Sequence, residues 1–268
     1  MTQRYTDRVA AVVGGTSGIG LATARRLRDE GATVVIAGRR DDGADAAASI
    51  GERVSFQRAD VVDRPSVDAL FADCVARHGR LDVVVNSAGF VVVAPTMSLK
   101  ERHWQRVIDI NLNGVFHVCQ SAVPHLRATV AAGLARDTAI VNVLSIDAVA
   151  ADIGMAAYNA AKAGALNFTR SFALEVIGDG IRINAVSPAL VDTPMASTMT
   201  GSAEASAAFL AAIPAGRFGR PDDVAAAIAF LAAEEASFIV GENLMVDGGV
   251  TLRTGHPSML PFLPTRGS

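Results

Sequence analysis

Short runs of apolar, largely β-branched residues recur along this chain, each separated from the next by a longer stretch with helical spacing. That alternation constrains the fold more than any other feature. The runs are RVAAVV (8–13), ATVVIA (32–37), RVSFQ (53–57), LDVVV (81–85), AIVNVL (139–144), IRINAV (181–186) and ENLMVD (242–247). Between them the pattern predicts helices over 19–30, 65–78, 100–126, 156–177 and 221–235, with an Ala-rich helix before residue 53. Strands that are apolar at nearly every position are buried on both faces, as in a parallel sheet covered by helices. Carried through the chain, the strand–helix–strand rhythm predicts an α/β architecture, a doubly wound parallel sheet in a single domain over 1–268. The composition suits it: 268 residues, 50% hydrophobic but only 5% aromatic, give small side chains for close helix-on-sheet packing. Two segments break the rhythm. Residues 189–216, rich in Ala, Ser, Thr and Met, are expected to form a loop-and-helix flap, and residues 251–268 an extended C-terminal tail.

Charge and cysteine usage narrow the function. The formal net charge is −3 and the longest basic cluster is Arg39–Arg40, which argues against a nucleic-acid partner. Cys74 and Cys119 have no ligand-like spacing, and the five histidines (78, 103, 117, 125 and 256) are scattered, so no metal site is legible. Few cysteines point to a reduced, cytoplasmic setting. The N-terminus lacks an apolar signal core, and no run of about 18 apolar residues spans a membrane.

The first strand runs into VGGTSGIG (13–20), where Gly14, Gly18 and Gly20 alternate with Thr16, Ser17 and Ile19 at a strand-to-helix junction. Glycine there lets backbone turn tightly and approach a pyrophosphate whose charge the helix N-terminus stabilises, so the loop predicts dinucleotide binding in a Rossmann-like fold. The second strand ends AGRR. An acidic residue there would pair with the ribose hydroxyls of NAD. Arg39 and Arg40 instead suit a 2′-phosphate, with no carboxylate along the chain until Asp41, and favour NADP(H) with NAD(H) as the alternative. A solvated arginine pair on a loop is the other reading. The third strand closes with ADVVD, where Asp60, followed by Val61, either bonds the adenine amino group or is a plain loop aspartate.

In YNAAK (158–162), Tyr158 and Lys162 stand four apart, hence on one helix face. A lysine charge beside a phenol is expected to lower its pKa. Alone, the pair reads equally as a half-buried tyrosine beside a solvated lysine.

With the glycine loop, NSAG (86–89), Ser145 thirteen residues before Tyr158, and VDGG (246–249), the chain resembles the short-chain dehydrogenase/reductase family from about residue 6 to 251. The resemblance implies that Asn86, Ala88 and Gly89 line the cofactor cleft, and that Pro188, Val191 and Thr193 contact the nicotinamide carboxamide. It implies catalysis by Asn111, Ser145, Tyr158 and Lys162. Tyr158 would be the general acid in reduction and base in oxidation, and Ser145 a donor to the carbonyl oxygen. Lys162 would hold the nicotinamide ribose, and Asn111 a proton-relaying water. Val13, Ser87, Ala189 and Val240 depart from the family pattern, none of them a catalytic position.

The segments around Ser145 and after NSAG, with Ala189, Met195, Met199, Phe209 and Leu210 of the flap, suggest a mostly apolar pocket for a small ketone or secondary alcohol. Asp147 faces either that pocket or solvent. A carbonyl reductase is the leading expectation; an NAD-dependent alcohol dehydrogenase, a 3-oxoacyl thioester reductase and a non-catalytic dinucleotide sensor are the alternatives. Leu174 stands where the thioester reductases typically carry arginine. The helices near 100–126 and 156–177 correspond to faces that pair in family dimers and tetramers, implying a homo-oligomer. The tail is expected either to fray or to reach a neighbouring subunit's pocket.

Overall fold

In the computed structural model, which describes residues 3–198 and 200–253, the chain alternates strand and helix much as its pattern predicts. The first half runs β1 (Val9–Val13), α1 (Gly18–Asp29), β2 (Thr33–Gly38), α2 (Gly43–Ile50), β3 (Val54–Arg58), α3 (Arg64–His78) and β4 (Val83–Asn86). The second continues through α4 (Glu101–Ile108), α5 (Gly114–Ala131), β5 (Thr138–Val143), α6 (Ala156–Val176), β6 (Ile181–Pro188), α7 (Ala203–Ala212), α8 (Pro221–Ala232) and β7 (Asn243–Val246). All seven strands join one sheet in the order β3-β2-β1-β4-β5-β6-β7, every pairing parallel. The order reverses between β1 and β4, so the connections after those two strands diverge and leave a crevice at their C-terminal ends.

Two apolar layers cover the sheet. One packs α3, α5 and α6 on the face presented by Val13, Val84, Ile140 and Ile183; the other packs α1, α2 and α8 on the face of Val12, Ile36, Val85 and Val141. β1, β4, β5 and β6 are buried throughout, which is why they read as continuous apolar runs. Each buried Val or Ile contributes about 1.5–3 kcal/mol. Arg182 of β6 is a buried charge that the fold satisfies fully. It pairs with Asp137 at 2.6 Å and donates to the carbonyls of Leu231 and Ala233, tying the end of α8 to the sheet.

The expected single helix over 100–126 is interrupted. A π turn, Asp109–Asn113, separates α4 from α5. Its wider winding shifts the phase of the helix and leaves Asn111 buried beneath the Phe90 backbone. In the expected flap, α7 follows a short 3₁₀ turn, Ala196–Thr198. Another such turn, Val250–Leu252, begins what was expected to be extended tail. Residues 254–268, with His256 and the proposed reach toward a neighbouring subunit, lie outside the described residues, as does Met199.

Candidate active site

A cavity of about 1030 Å³ opens at the C-terminal edge of the sheet, lined by the residues that end or follow β1, β2, β4, β5 and β6 together with part of the flap. At its β1 end, Thr16, Ser17, Gly18 and Ile19 form the wall. Gly14 has φ +78°, and a Cβ there would sit 2.6 Å from the Ala88 nitrogen. Gly20 lies behind the wall, where a Cβ would meet the Gly14 carbonyl oxygen at 2.2 Å, so its role is close packing of α1 under the loop. Ser17 caps α1 without a side-chain hydrogen bond, and the first turn carries no acidic residue. The helix N-terminus therefore keeps its donors and positive dipole end for an anion. This cradle fits a dinucleotide pyrophosphate.

At the end of β2 the arginines are not equivalent. Arg40 forms a two-point ion pair with Asp42, while Arg39 is half-exposed and stands 3.9 Å from Asp60. Asp41 pairs with Arg58 at 3.0 Å. The carboxylate nearest Arg39 is thus Asp60, from a different strand end, and not the chain neighbour Asp41. Asp60 also accepts from the Val62 backbone nitrogen, and Val61 lines the cavity beside it.

At the other end, β5 delivers Ser145 and the first turns of α6 deliver Tyr158 and Lys162. Lys162 is buried, donates from Nζ to the Val143 carbonyl at 3.0 Å, and stands 5.5 Å from the Tyr158 ring centroid. Burial lowers the Lys162 pKa to about 8, opposed by the charge of Asp147. The expected lowering of the Tyr158 pKa is reversed. Burial raises it, Asp147 raises it further, and a hydrogen bond with Ser145 opposes both. Desolvation outweighs the neighbouring ammonium, and the buried lysine is itself drawn toward its neutral form.

Asp147 faces the cavity, not solvent. It is only 6% exposed, and Ser145 Oγ donates to its Oδ2 at 2.7 Å while its backbone N–H donates back to Ser145 Oγ at 3.2 Å. Burial raises its pKa, the Ser145 hydrogen bond opposes, and the adjacent Asp152 raises it again. Asp152, also in the cavity wall, carried no signal in the sequence beyond its place between Ser145 and Tyr158.

Ala88, Gly89, Pro188, Val191 and Thr193 line the cavity, as do Ala189, Met195 and Phe209 of the flap; Leu210 does not. Asn86 and Asn111 lie behind the wall. Asn86 is buried, and its Nδ2 has no hydrogen-bond partner. Asn111 donates to the carbonyls of Phe90 (2.7 Å) and Val107 (2.9 Å) and accepts from the Phe90 nitrogen at 3.2 Å. Its amide hydrogens are taken up in pinning backbone and are not available to a water.

A family model described as Enoyl-(Acyl carrier protein) reductase matches residues 13–251. The chain belongs to the short-chain dehydrogenase/reductase family. It is 44% identical over 255 residues to cis-4-hydroxycyclohexanecarboxylate dehydrogenase of Sinomonas cyclohexanicum, covering 94% of this chain and 99% of the relative. It is 36% identical over 253 residues to a 3-oxoacyl-(acyl-carrier-protein) reductase of Thermotoga maritima, covering 93% and 100%. The crystal structure of gox2181 superposes with a TM-score of 0.88 at 33% identity, covering 94% of this chain and 98% of that one. As a short-chain dehydrogenase/reductase the chain is an oxidoreductase acting between CH–OH and C=O groups, with a nicotinamide dinucleotide as cofactor. Among the described residues no helix is long and apolar enough to cross a membrane.

Proposed function

We propose that this enzyme interconverts a small, mostly apolar ketone and its secondary alcohol, with NADP(H) preferred over NAD(H). The observation that carries the reading is the gathering of Ser145, Tyr158 and Lys162 at one end of a cavity whose other end is the glycine loop after β1. The dinucleotide, when bound, supplies or accepts the hydride. The loop from Gly14 to Gly20 would hold its pyrophosphate, Asp60 and Val61 its adenine, Lys162 its nicotinamide ribose, and Pro188, Val191 and Thr193 its carboxamide.

In reduction Tyr158 gives its phenolic proton to the carbonyl oxygen, and in oxidation it takes the proton back. Its raised pKa keeps it protonated, the form reduction needs. Ser145 donates a hydrogen bond to the same oxygen as negative charge develops there, an interaction strengthened by exclusion of water. Asn111 acts from behind the wall by fixing the Phe90 backbone; a water relay to Lys162 would run over the main chain of the π turn.

The cofactor preference rests on Arg39. Its contact with Asp60 is loose enough for the guanidinium to turn to a 2′-phosphate, whereas Arg40 is held by Asp42. The same Asp60 favours a second reading, an NAD-dependent secondary-alcohol dehydrogenase, because its carboxylate would repel that phosphate. A carrier-bound 3-oxoacyl substrate, named for the Thermotoga maritima relative, ranks lower because position 174 is leucine. Titration of intrinsic fluorescence with NADPH and NADH side by side tests the choice, followed by rates on cyclohexanone and 4-oxocyclohexanecarboxylate. Tighter NADPH with ketone reduction supports the first reading. Tighter NADH with faster alcohol oxidation supports the second, and binding of neither overturns both.

Phe116, Phe168 and Phe172, in ring-to-ring contact along α5 and α6, are the surface we assign to a homodimer or tetramer. The two free, buried cysteines accord with a cytoplasmic setting, and residues 189–216 with a flap over the substrate end.

A further inference from the structure

A serine hydroxyl has one hydrogen and two lone pairs. At Ser145, Oγ contacts Asp147 Oδ2 at 2.7 Å and accepts from the Asp147 backbone N–H at 3.2 Å. An ionised Asp147 only accepts. The Ser145 hydrogen then points at Asp147 and is not available to the oxygen of a ketone. A protonated Asp147 reverses the pair. Its carboxyl donates to Ser145 Oγ, which with the backbone N–H fills both lone pairs. The hydrogen of Ser145 is freed toward the cavity.

We propose that Asp147 is a positioning residue that sets the direction of the Ser145 hydrogen bond, and that ketone reduction requires it as the carboxylic acid. The inference rests on the carbonyl-reductase reading above and adds to it a group outside the serine, tyrosine and lysine. No proton leaves Asp147 in the step; the acid form only orients the Ser145 hydroxyl. The surroundings favour that form. The turn Ile146–Ala148 packs against α6 and β6. From α6 it meets neutral Tyr158 and Lys162, whose charge opposes protonation; from the following loop it meets Asp152, whose charge supports it. β6 adds no charge at this end, since its Arg182 pairs with Asp137 at the other. Burial is the largest influence and acts in the same direction as Asp152. Because the carboxyl pKa is raised, the acid form persists to higher pH than for an exposed aspartate. The reducing activity is full below that pKa and is lost as pH rises through it.

The experiment is the pH profile of kcat for reduction of cyclohexanone, from well below to well above neutrality, for wild type, Asp147→Asn and Asp152→Asn. It is paired with infrared detection of the protonated carboxyl band in the dinucleotide-free enzymes. Wild type should lose about tenfold in kcat per pH unit above one midpoint, and the carboxyl band should vanish with the same midpoint. An amide at 147 donates to Ser145 at every pH, so Asp147→Asn, at whatever level its rate settles, should lose that limb and the band together. Asp152→Asn, which removes a like charge, should move both midpoints to lower pH. A limb that survives in Asp147→Asn at the wild-type midpoint, or a band in wild type that titrates apart from kcat, overturns the proposal. The band is read without turnover, so a protein inert toward ketones would sink the functional reading while the hydrogen-bond assignment still stands or falls on the infrared titration.

Discussion

At the phosphate end of the cavity the wall is backbone, and the tolerances are steric. A single added carbon at Gly20 would meet the Gly14 carbonyl oxygen at 2.2 Å, and no charged side chain lies in the loop from Gly14 to Gly20. At the reacting end the wall is side chain, and the tolerances are electrostatic. Asp147 and Lys162 are buried beside a half-buried Tyr158, and desolvation moves each pKa away from its ordinary value toward the neutral form. On the proposed reading, one end is a mould for an anion and the other holds protons in place. Their failures should therefore look different. Damage to the mould should weaken binding and stability, and damage to the proton set should cost rate while leaving binding intact.

The comparison breaks if Tyr158→Phe behaves like a binding mutant. The expected outcome is a loss of roughly 10²–10⁴ in kcat with an unchanged dinucleotide dissociation constant, measured by turnover and fluorescence titration. Lys162 sharpens it through stability. With a folded pKa of about 8 against an ordinary 10.5, the folded protein binds fewer protons than the unfolded chain between those values. Its contribution makes stability rise with pH across that window, and Lys162→Met should remove this slope in denaturant melts recorded without cofactor. At the mould, Gly20→Ala should cost about 1–3 kcal/mol through overpacking. That should appear as a lower melting temperature together with weaker binding of both NADPH and NADH. The smallest effects separate the two arginines. Arg39→Ala should weaken NADPH by about tenfold with little change for NADH, and Arg40→Ala should change either by less than about threefold, since Asp42 already holds that exposed side chain.

The fold was legible because its signals are local. Continuous apolar runs such as VAAVV and TAIVNV could only be strands buried on both faces, and their alternation with helical spacing left the parallel sheet as the one arrangement that covers them. The π turn at Asp109–Asn113 escaped because five residues are too short a stretch for a change of winding to be told from ordinary scatter in the helical periodicity. The glycine loop and the four-residue spacing of Tyr158 and Lys162 were likewise readable, since backbone geometry fixes what such spacings bring together.

The sequence by itself determined the sheet and the family, and it put the glycine loop after β1 and Tyr158 and Lys162 on one face of α6. Only the tertiary structure decided how those groups are charged and partnered. Spacing predicted a lowered tyrosine pKa, but the sign was set by desolvation, which depends on everything folded over α6 and not on the four residues between phenol and ammonium. Asp41 was the neighbour of the arginines along the chain; Asp60, 21 positions on from Arg39, became its partner because β3 lies beside β2. Asp147 was left between pocket and solvent by the sequence, and the turn after β5 buried it against Ser145. Backbone geometry propagates through neighbours in the chain, whereas solvation and ion pairing are set by what the fold brings from elsewhere.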